Sequence, residues 1–147
     1  MKKIFSLFTI LLLSTLSFAQ ALPGDKIAGI WESTNSDVVL KFEIYKSGDE
    51  FFGKLLWASD MFNDDGSIKK DFNNPDKSLR NRFRKNIVNI THLRFDDGEY
   101  VDGKLYNPAD GRTYSLTGKL KNLDELEFRG YIGLSLFGRT IKFKRVQ

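Results

Sequence analysis

EYVDGKLYNPADGRTYSLTGKLKNLDELEFRGYI, residues 99–132, sets three short β-rich runs end to end with turn residues between them. In the middle run, Thr113 to Lys121, the residues Tyr114, Leu116, Gly118 and Leu120 fall on one face. In the third, Glu125 to Ile132, Leu126, Phe128, Gly130 and Ile132 fall on one side and Glu127 and Arg129 on the other. Period-two alternation gives a strand one buried and one wet face. Asn107-Pro108-Ala109-Asp110-Gly111 reads as a tight, rigid hairpin connection, because each of these residue types favours a turn. No helical spacing intervenes, so the runs pair as an antiparallel meander.

The same rhythm continues outward. Val38 to Lys46 alternates Leu40, Phe42 and Ile44 with Lys41, Glu43 and Tyr45. Ser47-Gly48-Asp49 turns the chain into Phe51 to Trp57, where Phe51, Gly53, Leu55 and Trp57 share a face. Ile87 to Phe95 reaches Glu99 through the turn Asp96-Asp97-Gly98, Ile27 to Ser33 opens the series and Arg139 to Val146 closes it. The expected fold is therefore all-β, an eight-stranded antiparallel up-and-down barrel, which removes the exposed sheet edges. The interior of such a barrel either fills with side chains or holds one small ligand, and the pattern leaves both open.

One stretch breaks the rhythm. Residues 59–86 are too long for a hairpin loop, and long loops in compact domains tend to be functional. Asn74, Pro75 and Asp76 read as a helix start, with Asn as cap, Pro at the first helical position and Asp in the first turn. Leu79 and Phe83 then stand at i, i+4, a spacing that lets a short helix press both onto a barrel mouth. Arg80, Arg82, Arg84 and Lys85 crowd the same stretch. Two readings stand side by side. In one the segment is a plug, sealed by Leu79 and Phe83 with its arginines in water. In the other it is a lid whose guanidinium forks meet an anionic or carbonyl-bearing ligand.

Composition narrows the classes. The 147 residues are 41% hydrophobic and 14% aromatic, enough for one packed domain and too much for a disordered chain. The absence of Cys excludes disulfides, a Cys-ligated metal and a thiol nucleophile. Met1-Lys2-Lys3, the apolar run Ile4 to Leu16 and the small residues of Ser17-Phe18-Ala19 have the pattern of a secretory signal peptide. Residues 1–19 are thus expected to be removed, leaving 20–147 as a single exported domain, periplasmic or secreted. That run is short for a membrane span, and no later segment approaches one. Loss of Lys2 and Lys3 takes the formal charge from +4 to +2. So small a charge on an exported protein argues against nucleic acid as partner.

Gly29-Ile30-Trp31 resembles the G-x-W that opens the first strand of lipocalin-like (calycin) barrels, in which a late Arg stacks over the Trp and closes the base. Arg145 shares parity with Ile141 and Phe143, so its stem should point inward, and a guanidinium over an indole is a favourable pair. More specifically, the chain resembles the DUF2147 family of exported bacterial proteins. The resemblance rests on G-I-W at 29–31, F-G-K-L-L-W at 52–57, N-P-D-K-S-L-R-N-R at 74–82, G-K-L-Y-N-P-A-D-G-R-T-Y at 103–114 and R-G-Y-I-G-L-S-L-F-G-R-T at 129–140. It implies a signal peptide and a lipocalin-like barrel, with Gly29, Trp31 and Arg145 as its closure, and no activity.

No strong catalytic constellation emerges. His92 is the only histidine, and most carboxylates lie in turns, where they act as turn formers. The acidic turns lack calcium-loop spacing, and neither a metal nor a cofactor is expected. Tyr106, Arg112 and Tyr114 flank the Asn107–Gly111 turn and are placed to line a barrel mouth. Trp57 is read as core or as the wall of an aromatic cavity. The leading expectation is an exported small-molecule binding or carrier barrel for an apolar or amphipathic ligand, anionic ones included. Its candidate contacts are Arg80, Arg82, Tyr106, Arg112, Tyr114 and Trp57. The alternative is a filled barrel that docks a protein partner of the cell envelope. An enzyme comes last.

Overall fold

In the computed structural model, which describes residues 23–147, eight antiparallel strands close into one barrel with every strand hydrogen-bonded to its neighbours in sequence and the last to the first. The strands are β1 (Gly29–Ser33), β2 (Leu40–Ser47), β3 (Glu50–Ala58), β4 (Val88–Asp96), β5 (Glu99–Asn107), β6 (Arg112–Asn122), β7 (Glu125–Tyr131) and β8 (Arg139–Arg145). The expected fold class is the one found, and each strand falls within about two residues of its sequence reading. The expected signal peptide lies outside the described residues.

Three tight turns gather at one end with Pro23 and Gln147, the first and last described residues, and they form the base. Asp97 and Gly98, joining β4 to β5, both have positive φ, the mirror-image turn geometry that matches strand twist. The other end carries the β1–β2 loop, the long excursion after β3, the β5–β6 turn and the β7–β8 connection, and it forms the mouth. The strands bring buried apolar side chains inward, among them Phe42, Ile44, Phe51, Leu93, Leu116, Leu126 and Phe143. Aromatic rings meet edge to face across this core, as between Phe51 and Tyr100 (5.6 Å) and between Phe128 and Phe143 (5.7 Å).

At the base, β1 and β8 bring Trp31 and Arg145 together. Trp31 stands opposite Arg145 in the β1–β8 register, and the guanidinium carbon lies 4.2 Å from the indole centroid. The same guanidinium donates to the carbonyls of Leu123 (2.6 Å), Ala28 (2.7 Å) and Lys26 (2.5 Å). Gly29 has φ of +144°, and a Cβ there would collide with that guanidinium, so only glycine fits. A single 3-10 turn, Pro23–Ile27, runs beneath, accepting the Trp31 indole N–H at Ile27 (2.8 Å) and the Tyr100 hydroxyl at Gly24 (2.7 Å). Burial pushes the Tyr100 hydroxyl up to about 12.

Two sequence expectations about side-chain direction fail. Trp57 does not share the inner face of Phe51 and Leu55; it lies outside, 36% exposed, while Ala58 is buried. The register explains this. Lys41 pairs with Trp57 and Phe42 with Leu55, so Leu56 is an extra residue that reverses the parity. The expected helix over Asn74–Phe83 shrinks to one 3-10 turn, Lys77–Leu79, whose cap is Asp76 rather than Asn74. The Asp76 carboxylate accepts from the Ser78 backbone N–H (2.9 Å) and hydroxyl (2.7 Å), which hold its pKa below the usual range. Without a second helical turn, the i, i+4 spacing brings nothing together. Leu79 is exposed, and Phe83 is 54% exposed, so neither seals the barrel.

Candidate functional site

Inward side chains fill the base half of the barrel and leave the mouth half hollow. A cavity of about 390 Å³ opens above Phe42, Leu55, Ile90, Leu116, Phe128 and Phe143, which come from six different strands. Its rim is polar and carries both signs of charge: Asp37, Asp60, Arg84 and Arg139. This volume lies in the range of small-molecule sites, which pair an apolar body with a few placed polar groups.

The excursion forms one side of the rim. It makes two isolated bridges, Phe62 to Ile68 and Lys70 to Phe83, and it sends Met61 into the cavity wall. Its anchor is Asp71, fully buried. The carboxylate accepts from the Tyr106 hydroxyl (2.6 Å), the Asn74 amide (2.8 Å) and the Arg82 Nε–H (3.0 Å). Asn74 thus serves this carboxylate and not a helix end. Burial first, then the Asp71 carboxylate beside it, raises the Tyr106 pKa above the ordinary tyrosine value. A second attachment lies at the β5–β6 turn, where the Asn73 amide donates to the Ala109 carbonyl (2.8 Å). Gly111 (φ +74°) lets the Asn73 backbone approach, since any Cβ would strike its carbonyl oxygen.

Of the expected contact residues, Tyr106 and Tyr114 line the cavity. The Tyr114 hydroxyl donates to Asp110 (2.6 Å), a bond that raises its pKa together with partial burial. Arg80 and Arg82 do not line it. Arg80 donates to the Asn74 carbonyl (2.7 Å) and Arg82 binds Asp71 with its guanidinium 5.9 Å from the Tyr106 ring, so both hold the excursion together. Arg112 is exposed and Trp57 faces outward, so neither lines the cavity. Pro75 is exposed on the excursion surface. His92 is exposed too, 3.4 Å from Glu50. No cluster of metal-ligating side chains occurs among the described residues.

The polar lining also includes Ser36, Asp37, Asp60, Asn89 and Arg139, which the sequence reading did not single out, and Arg84, which it placed in the lid cluster but not among the candidate contacts. Arg84 sits in irregular backbone, where no periodicity separates it from Arg80 and Arg82. Asn89 carried a signal, a lone amide in the apolar run Ile87–Ile90. Its direction depends on a bulge. Lys54 pairs with Val88 and Gly53 with Ile90, so Asn89 is the unmatched residue and enters the barrel beside Ile90.

Comparison with known proteins agrees with this architecture. The family model DUF2147, described as an uncharacterized protein conserved in bacteria, matches residues 29–145. Among solved structures, protein HP1028 from the human pathogen Helicobacter pylori, described as belonging to the lipocalin family, is similar at 29% identity with a TM-score of 0.69, over 82% of each chain. Comparison with curated proteins gives no match.

Proposed function

We propose that this chain, which belongs to the DUF2147 family, binds a small apolar or amphipathic molecule in the mouth half of a lipocalin-like barrel. The observation that carries this reading is the cavity of about 390 Å³ above a closed base. A barrel built only for stability gains by filling such a space, because voids forfeit packing contacts. Arg84 and Arg139 at the rim give a charged ligand end a place to meet, with Asp37 and Asp60 limiting the preference for anions. Residues 1–19 support export, with binding carried out by 20–147 in the periplasm or outside the cell. No helix among the described residues is long and apolar enough to cross a membrane.

A second reading rests on a separate observation. Leu134, Leu136 and Phe137, in the β7–β8 connection, are exposed by 68%, 80% and 79%. Exposed apolar side chains grouped at one end suit a docking partner. Native mass spectrometry of residues 20–147, purified gently after export, separates the readings. A stoichiometric excess mass that disappears on denaturation is expected. A bare mass, with no uptake from an envelope lipid extract, overturns the binding reading and leaves the docking one.

A further inference from the structure

The exposed apolar side chains of the barrel are not spread evenly over it. Of the twelve large ones among the described residues, only Leu123 and Val146 lie at the base, and the other ten lie at or beside the mouth. Single exposed apolar residues are ordinary, but a concentration at one end is a feature to explain. The densest group is the β7–β8 connection, where Ile132, Leu134, Leu136 and Phe137 are all more than half exposed. Leu79 and Phe83 add to it from the excursion. Polar contacts shape both segments without help from these side chains: the Arg129 guanidinium binds the Ser135 carbonyl (2.6 Å), and the Leu79 N–H donates to the Asp76 carbonyl (3.1 Å).

Charge is sided in the same way. The base turns 47–50, 96–99 and 122–125 carry seven carboxylates and no cation. At the mouth, segments 77–85 and 131–139 carry six cations and no carboxylate, and these two segments also hold the apolar side chains just named. The carboxylates of the mouth fall elsewhere, at Asp37, at Asp110 and along 59–76. Arg82 is held by the buried Asp71, and Arg139 reaches Asp37 at 3.9 Å, both in water. Lys77, Arg80, Arg84 and Lys85 make no ion pair among the described residues. Arg84 and Arg139 line the same cavity, so the two basic, apolar segments flank one opening.

Deepening the docking reading above, on which it rests, we infer that the mouth seats the barrel on an anionic lipid surface. Leu134, Leu136 and Phe137 enter the interface, and the cations of 77–85 and Arg139 meet headgroup phosphates. A protein interface centres on a contiguous apolar patch poor in charge. Here the apolar side chains stand around an opening and are interleaved with Lys and Arg, so a rigid partner would span a hole and bury cations. Lipids adjust to each side chain separately. Apolar tips enter the acyl boundary while Lys and Arg keep their charged ends among the phosphates. The acidic base is repelled by the same surface, which fixes the orientation with the mouth toward the bilayer. The cavity then opens where apolar molecules already reside, and one can pass between bilayer and barrel without crossing water.

The test places an indole at the tip of the mature protein. Phe137→Trp in a Trp57→Phe background leaves Trp31, buried at the base, as the other indole. Vesicles of phosphatidylcholine alone are compared with vesicles holding one part phosphatidylglycerol to two of phosphatidylcholine. The tip indole is expected to emit as a water-exposed group in buffer and to shift to the blue on anionic vesicles, at roughly tenfold less lipid than on neutral ones. Adding Leu134→Ser and Leu136→Ser is expected to raise the lipid needed by roughly tenfold or more. Flotation of the native protein with the two kinds of vesicle gives the same order without any substitution. An indole that stays in water with both vesicles, native protein that does not float with the anionic ones, or equal affinity for both overturns the lipid surface and leaves the docking reading standing. Shielding that grows with protein concentration in the absence of lipid assigns the tip to a second copy and also overturns it. An indole shielded at every concentration before lipid is added shows that the tip packs on its own barrel, which overturns the docking reading and this inference with it.

Discussion

At the base of the barrel, Trp31 is wholly buried under a guanidinium that satisfies three backbone carbonyls, and the Tyr100 hydroxyl has its own acceptor. At the mouth, the same eight strands enclose empty space, leave Asn89 Oδ1 without a partner among the described residues and expose Leu136 and Phe137. One end is packed solid, and the other, though its loops are hydrogen-bonded, encloses an open cavity. A fold held by one end is free to keep the other unfinished, and unfinished groups are what a ligand or partner completes. The division has consequences for stability that differ in size and place.

The largest effect belongs to the base. Trp31→Ala removes the largest fully buried ring and the partner of Arg145, and it is expected to cost about 3–5 kcal/mol in urea unfolding. A loss under 1 kcal/mol would mean that the base is not what holds the barrel.

Next comes the alkaline limb. Tyr100 ionises near 10 in the unfolded chain and near 12 in the fold, so the folded state keeps its proton longer. Its contribution is complete below pH 10 and is lost as pH rises from about 10 to 12, by up to about 2–3 kcal/mol at ~1.4 kcal/mol per pKa unit. Tyr100→Phe is expected to flatten this limb more than Tyr114→Phe at the mouth, whose hydroxyl is only partly buried. Equal flattening would erase the contrast between the ends.

Smaller again is the rim anchor. Asp71→Ala leaves the donors of Tyr106, Asn74 and Arg82 unpaired, yet Arg82 is one-third exposed and turns to water. A global loss of about 1–2 kcal/mol is expected. Hydrogen exchange is the sharper readout: amides of 59–86 should lose protection while those of β1 and β8 keep theirs. Uniform loss would show that rim and base unfold as one unit.

The sequence made one end of this contrast far more readable than the other. Period-two alternation exposes eight strands wherever the register is regular, and parity with Phe143 turns the Arg145 stem inward, while its place over Trp31 is what the resemblance to lipocalin-like barrels implies. Counting fails at a bulge, because one inserted residue reverses every direction after it. Leu56 reversed Trp57, and the irregular β4 register hid Asn89. The excursion failed for a different reason: i, i+4 spacing carries meaning only if a helix forms. Here the buried Asp71 recruits Asn74 and Arg82, and the chain follows that carboxylate rather than a helical repeat. Which arginine faces the cavity then depends on tertiary contacts that no local pattern encodes.

The smallest effect lies at the tip of the mouth. Leu136 and Phe137 belong to a short 3-10 turn, Ser135–Phe137, none of whose residues is buried. Three hydrogen bonds from the Arg129 guanidinium hold the turn through the carbonyls of Ser135 (2.9 and 2.6 Å) and Leu136 (3.2 Å), so its shape does not rest on the two apolar side chains. Replacing both by Ser removes exposed surface without opening a cavity, and the unfolding free energy is expected to move by less than about 0.5 kcal/mol. If the double variant instead loses more than about 1 kcal/mol, the side chains pack in solution, and the mouth is less open than its exposure implies. If stability holds and the bound mass seen by native mass spectrometry is also unchanged, these residues serve neither fold nor cavity. Their exposure then belongs to a surface outside the barrel, which is where the docking reading places it.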